Sequence, residues 1–523
     1  MGAEETPPAP SIAPRLQVGM LALLTRKRII TCPSHLDTTM GKPKQFTRPP
    51  KKQKGKAEPQ TADEFQGAAD LEEETGGKWR AGDPAKSGRA FVRALDIYDK
   101  GLQRYPKSFD LAYNKARLEL EITQRPAIVS HIGQPLVDLL KQTLDSHRYA
   151  LKLNEQNPDV LFNTSQVLTS LAEQLSEVDD TAGAIGLLQE ALELLSACLS
   201  RQEMLLEQQQ IDLEDIEGGG VALDPDEKPA STAGSDQSEQ TVTIETPITA
   251  SDLLDAVVAS MSALTTLVAL VEHHALDALG EMAQSLTERK APIYLAEVAE
   301  GERIKAQFAI ALARANFVAA FASAQFDAFL LEADTYLNRL SDVFSFAGKD
   351  TDTTSLSSEA SARTELVLSL LQRYEGSPDL PADLCWKQLT LAQQLYTTAT
   401  KLDSSAEIYL SRGDVEMLRH RVASTSANKL SPVVQRSAPT LAQNAQTYYT
   451  GAVKLAPSDN ADVRDNALSR LSVATALRAL LYQVDSPSDA PGPPSHDILE
   501  TCVEDGLLDA DVANGMASMS FKS

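Results

Sequence analysis

The sequence predicts an all-α protein, a helical-hairpin solenoid interrupted by an acidic disordered insertion and flanked by disordered termini. Three observations carry this. Apolar residues recur at helical spacing over most of the chain, as at Phe91, Ala94, Leu95, Tyr98 and Leu102, which is the stripe of a helix buried on one face. No comparable run alternates β-branched and polar residues at period two. A pattern of small, large, small and helix-ending residues returns four times at one spacing.

Taken in order, residues 1–60 read as a disordered basic tail, with Pro7, Pro8, Pro10, Pro14, Pro33, Pro43, Pro49 and Pro50 scattered among charges. Residues 61–211 read as helical repeats. Residues 212–247 read as an acidic flexible insertion, where Asp212, Glu214, Asp215, Glu217, Asp224, Asp226 and Glu227 are faced only by Lys228, beside Gly218, Gly219 and Gly220. Residues 248–347 read as long Ala-rich helices. The charge-free run Ala256–Val271 within them, 16 residues with Ser260, Ser262, Thr265 and Thr266, is expected to be a buried core helix and not a membrane span. Residues 348–380 read as a polar linker and helix, with helical order pausing from Gly348 to Glu359. Residues 381–484 resume the repeats, and 485–523 form a Pro-rich and acidic tail with a last amphipathic turn or two.

The recurrence is the most informative pattern. Ala94, Tyr98, Gly101 and Pro106 sit at offsets 0, 4, 7 and 12, and the spacing returns as Ala184, Leu188, Ala191 and Ser196, as Ala392, Tyr396, Ala399 and Ser404, and as Ala445, Tyr449, Ala452 and Pro457. Small residues let a second helix lie close to the first, the large one fills the groove, and Pro or Ser ends the helix. These offsets resemble the second helix of the tetratricopeptide repeat (TPR). In its first-helix positions the chain has Gly82 ahead of Ala94, and Leu171 with Ala172 ahead of Ala184. The runs Ala112–Ala116 and Ile408–Gly413 resemble the start of a repeat. The resemblance implies helical hairpins over roughly 80–200 and 380–480. The 34-residue period of that family is not sustained.

Constellations for catalysis are hard to find. His35, His131, His147, His273, His274, His420 and His496 are dispersed, and adjacent His273 and His274 would point to different faces of a helix. Cys32, Cys198, Cys385 and Cys502 form no metal-ligand spacing and read as buried small hydrophobes in a reducing compartment. The glycine triplet at 218–220 lacks the Lys-Ser/Thr of a phosphate loop, no G-x-S-x-G elbow occurs, and Glu72, Glu73 and Glu74 read as a solvated helix face. The expectation is a non-enzyme with no cofactor and no metal.

Partner chemistry is read from charge. The 523 residues carry a net charge of −25. Residues 1–56 hold eleven basic and three acidic side chains, a balance of +8, which leaves −33 on the rest. Such a body disfavours nucleic acid and anionic membrane and favours a basic protein. The cluster around Lys51, Lys52, Lys54 and Lys56 is a candidate nuclear-targeting signal, and the only part suited to weak RNA contact. A cytoplasmic or nuclear location is expected, with the oligomeric state open. A repeat groove with an acidic interruption resembles the logic of NASP-type histone chaperones and of the repeat-protein chaperones that escort new ribosomal proteins. The resemblance implies an assembly chaperone or adaptor for a basic client. The alternative is a structural scaffold subunit whose acidic loop is passive.

Overall fold

A computed structural model of the chain describes residues 58–178, 180–218, 247–425, 430–456, 461–484 and 491–520. Helices begin where the sequence supplies a capping side chain. Thr61 accepts the Glu64 amide ahead of α1 (Ala62–Trp79), and Asp83 accepts the Lys86 amide at 2.9 Å ahead of α2 (Pro84–Arg104), with Pro84 in the first turn. Ser108 caps α3 (Phe109–Thr123). A single turn, α4 (Pro126–Val129), leads to α5 (Leu136–Leu153). Asn157 caps α6 (Pro158–Glu177), which turns into the long α7 (Thr181–Gly218).

After the acidic segment, Thr249 and Asp252 form a capping box that starts α8 (Ala250–Val268). The middle continues through α9 (Leu276–Gln284), a π-helical segment, α10 (Ala291–Glu297), α11 (Glu300–Asp327) and α12 (Ala333–Val343). The second half comprises α13 (Thr353–Arg373), α14 (Ala382–Leu402), α15 (Ala406–Thr425), the short α16 (Pro432–Arg436), α17 (Ala438–Leu455) and α18 (Ala461–Tyr482). Two helices, α19 (His496–Glu504) and α20 (Ala510–Ser520), follow. Among the described residues there is no strand.

The helices pack as hairpins, α1 on α2, α3 on α5 and α6 on α7, then α13 on α14 and α15 on α17. Hairpin starts at Ala62, Phe109 and Pro158, and again at Thr353 and Ala406, lie 47 to 53 residues apart. That longer unit is why a 34-residue period is not found in the sequence. The Ala-rich middle joins the halves: Leu195, Val257, Leu264 and Phe317 share one core, while Ala315, Phe326 and Tyr336 belong to the core that continues to Met516.

By length and composition, three helical segments are apolar enough to cross a membrane: Thr181–Asp212, Ala250–Val268 and Glu300–Asp327. The first and third pack on α8, which buries thirteen residues.

Several boundaries differ from the sequence reading. Helix α7 runs to Gly218, so the acidic residues Asp212, Glu214, Asp215 and Glu217 lie on its backbone. Ser196 does not end a helix; it sits inside α7, because the facing helices continue to bury that stretch. The polar stretch from Gly348 is cut short by Asp352, whose carboxylate accepts the Ser355 amide at 2.7 Å and starts α13. The acidic C-terminal tail forms two full helices, held on α18 because Leu499, Leu508 and Met516 bury there.

Candidate functional site

Most of the recurrent residues occupy helix-packing positions. Ala94, Tyr98 and Gly101 are buried on α2, Leu171 and Ala172 on α6, Ala184, Leu188 and Ala191 on α7. Ala392, Tyr396 and Ala399 are buried on α14, Gly413 on α15, and Ala445, Tyr449 and Ala452 on α17. Pro106 follows α2 in an exposed turn. Pro457 lies outside the described residues, as do Asp224, Asp226, Glu227, Lys51, Lys52, Lys54 and Lys56.

Gly82 is a correction. It lies in the exposed turn between α1 and α2 with nothing near a Cβ placed there. The close approach belongs to Gly76, where a Cβ would overlap the Phe91 ring. At Gly413 a Cβ would overlap the ring of Tyr449. A side chain at either position would push the hairpin apart.

The large residues of the pattern carry polar chemistry that spacing alone does not reveal. Tyr98 on α2 donates to Glu73 on α1 at 2.6 Å, and Arg117 on α3 reaches the other Glu73 oxygen at 2.5 Å. Tyr449 on α17 donates to Asp414 on α15 at 2.8 Å, and Arg470 on α18 lies 3.7 Å from that carboxylate. Arg470 also donates to Cys502 Sγ at 2.8 Å and pairs with Asp505, tying α19 to α18. Each triad joins a hairpin to the next helix. Burial first, and the adjacent carboxylate second, hold both tyrosines far above the ordinary phenol range. Glu73 is therefore not on a solvated face. Its place four residues after Ala69 and eight after Phe65, on the buried stripe of α1, was the available signal.

Two grooves flank α5. One, of about 550 Å³, runs between α2, α3 and α5, with Leu102, Ala112 and Tyr149 on its walls and Asp99 and Asp145 on its rim. Lys115 pairs with Asp99 at 2.7 Å and lies 3.7 Å from Glu119. Burial pushes the Glu119 carboxyl up against the help of Lys115, Ser146 and Gln142. The other groove, of about 410 Å³, opens toward α6 and α7 and shares Asp145.

A second acidic region surrounds the base of the 219–246 segment. Gln208 holds exposed Asp212 at 2.7 Å near the end of α7. Where the chain returns, Asp252 lies close to Asp255 and Asp159, and Glu302 faces Ser251 at 3.2 Å. Burial, then Asp252, lifts the Asp255 carboxyl to about 6; Lys305 opposes and Glu302 adds.

Among the described residues no group of three or more His, Cys, Asp and Glu could hold a metal ion. His273 and His274 sit in an exposed 3-10 turn. Burial lifts the Cys198 thiol to about 12, Asp159 and Asp252 adding to it, and burial lifts Cys385 to about 12. Neither is an activated nucleophile.

No family model matches the chain. A stretch of 153 residues, 29% of the chain, is 36% identical to the protein of Schizosaccharomyces pombe named UPF0656 protein C926.02. The match covers 33% of that protein, so the chain spans about a third of the length of the curated relative it matches. Among solved structures the chain is similar to a circular tandem repeat protein with novel repeat topology and enhanced subunit contact surfaces. The identity is 12% and the TM-score 0.25, over 88% of this chain and 94% of that one.

Proposed function

We propose that the chain is a non-enzymatic, TPR-like protein-binding protein that acts as an assembly chaperone or adaptor for a basic client of histone or ribosomal-protein chemistry. It would work in the cytoplasm or nucleus, with no cofactor. One observation carries this reading: the acidic segment leaves α7 and returns to α8 where the folded body itself crowds Asp159, Asp252, Asp255 and Glu302, with Lys305 the opposing cation at Asp255 among the described residues. Carboxylates gathered in this way repel one another, and a partner rich in Lys and Arg relieves the repulsion. Each exposed pair contributes little, but many together steer association and make it salt-dependent.

Affinity capture from cells, washed at low and then moderate salt and read by mass spectrometry, tests it. Enrichment of basic proteins that moderate salt removes is the expected result. Capture without any basic protein, indifferent to salt, would end the chaperone reading.

The scaffold alternative is favoured by one feature. Phe329 adopts φ 60 in the turn after α11 and is 72% exposed, beside Leu330 at 59%. A left-handed phenylalanine costs about 1 kcal/mol relative to glycine, and Arg373 stacks 4.3 Å from its ring. Such a fixed aromatic suits a permanent interface. A stable, salt-resistant complex with stoichiometric subunits would support it.

A further inference from the structure

We propose that the groove between α2, α3 and α5 is occupied in cis by the chain's own basic segment, with a lysine among Lys51, Lys52, Lys54 and Lys56 entering between Asp99 and Asp145. The docking stands on the groove itself; its consequence, that a basic client must displace the tail, rests on the function proposed above.

The groove is short of positive charge. Lys115 is already held by Asp99 and approached by Glu119, and Asp145 lines the same groove. Asp145 takes no hydrogen bond or ion pair among the described residues. Glu119 is 5% exposed; its Oε1 accepts from Gln142 at 3.2 Å, and Ser146 also favours its charged form. Asp99 and Asp145, which line the groove, offer carboxylate oxygens to a further cationic side chain entering it. The walls of Leu102, Ala112 and Tyr149 suit the aliphatic stem of a lysine.

Gln60, the described residue near which the segment joins, lies at the end of α2. Arg104 Nη2 donates to the Gln60 side chain at 3.0 Å and the Tyr105 hydroxyl donates to the Gln60 carbonyl, which fixes the chain beside the end of α2. Leu102, in the same helical turn, lines the groove, and Tyr149 on its far wall donates to the Pro106 carbonyl. Gln60 and Lys54 are six residues apart, about 20 Å of extended chain. Residues 42–56 hold seven basic and no acidic side chains. Charge and length both match.

Zero-length carbodiimide cross-linking of the full chain at low salt, with isotope-labelled and unlabelled protein mixed, tests the docking without any client. The expected links join Lys51, Lys52, Lys54 or Lys56 to Asp99 or Asp145 within one molecule. Their yield should fall roughly threefold or more at high salt. In D99N, links to Asp145 should persist, which guards against loss through misfolding. Tail links confined to residues 212–227, links of mixed isotope that reveal a second copy, or the absence of groove links would each overturn it. A client that fails to bind leaves the cross-link standing, so the two proposals fail separately.

Discussion

The Tyr98 hydroxyl donates to the Glu73 carboxylate at 2.6 Å, both groups buried between α1 and α2, and Arg117 closes the carboxylate's other side from α3. The same three-part join recurs at Tyr449, Asp414 and Arg470. Removing one member of a buried charge pair strands the other, which is more damaging than removing a hydroxyl. Glu73→Ala should therefore lower unfolding stability by about 3 kcal/mol or more, and Tyr98→Phe by about 1 kcal/mol. Denaturant unfolding of both variants checks the order; equal losses would contradict it.

Glycines at different places should respond oppositely. Gly413→Ala drives a methyl into the Tyr449 ring, with an expected loss of about 1–3 kcal/mol. Gly82→Ala meets open space in a turn and should change stability by less than about 0.5 kcal/mol. Thermal melts of the two variants decide this, and a damaging Gly82→Ala would count against the helix boundary at Trp79.

How far the molecule is legible in its sequence follows from these residues. Small and large residues at one spacing locate α2, α7, α14 and α17, because a close helix pair leaves room for few alternatives at its contact. Gly82 misleads because a glycine's place in the pattern does not say whether it lies in a helix or in the turn beyond it. Glu73 is hidden because its pairing partners stand 25 and 44 positions away, and a run of three glutamates reads as solvent-facing until one is placed on the buried stripe. Gln142 and Glu119 come together only through hairpin packing that no local pattern encodes.

Two buried histidines should weaken the fold in acid. Burial holds His147 at about 4, with Nδ1 on the Thr143 carbonyl at 2.9 Å, and holds His420 at about 4, with Nε2 2.7 Å from the Tyr482 hydroxyl. Above the ordinary 6.5 both folded and unfolded states are neutral. Between 6.5 and about 4 the unfolded chain alone takes the proton, so stability falls as pH falls, by about 3 kcal/mol per site when complete. His147→Gln should show a shallower loss than the parent across that window, by denaturant unfolding at stepped pH; parallel curves would refute the assignment.

Glu173 should act with the opposite sign. Burial, with Glu177 adding, raises its carboxyl from 4.5 to about 7. Above pH 7 the folded protein carries a desolvated charge, and protonation relieves it as pH falls toward 4.5. Glu173→Gln should be more stable than the parent above pH 7, by up to roughly 2 kcal/mol, and the advantage should vanish near pH 4.5. An advantage that is the same at every pH would mean that charge is not its source.

The most direct measurement of the proposed function is binding of a basic histone-like or ribosomal-protein peptide, titrated against salt, to the full chain and to a variant lacking residues 219–246. The bounds leave α7 intact to Gly218 and spare the capping box at Thr249. An acidic segment that engages the client predicts affinity weakened by about tenfold at low salt and a flatter salt dependence in the variant. Unchanged affinity with an unchanged salt slope would contradict it and leave the segment a passive loop.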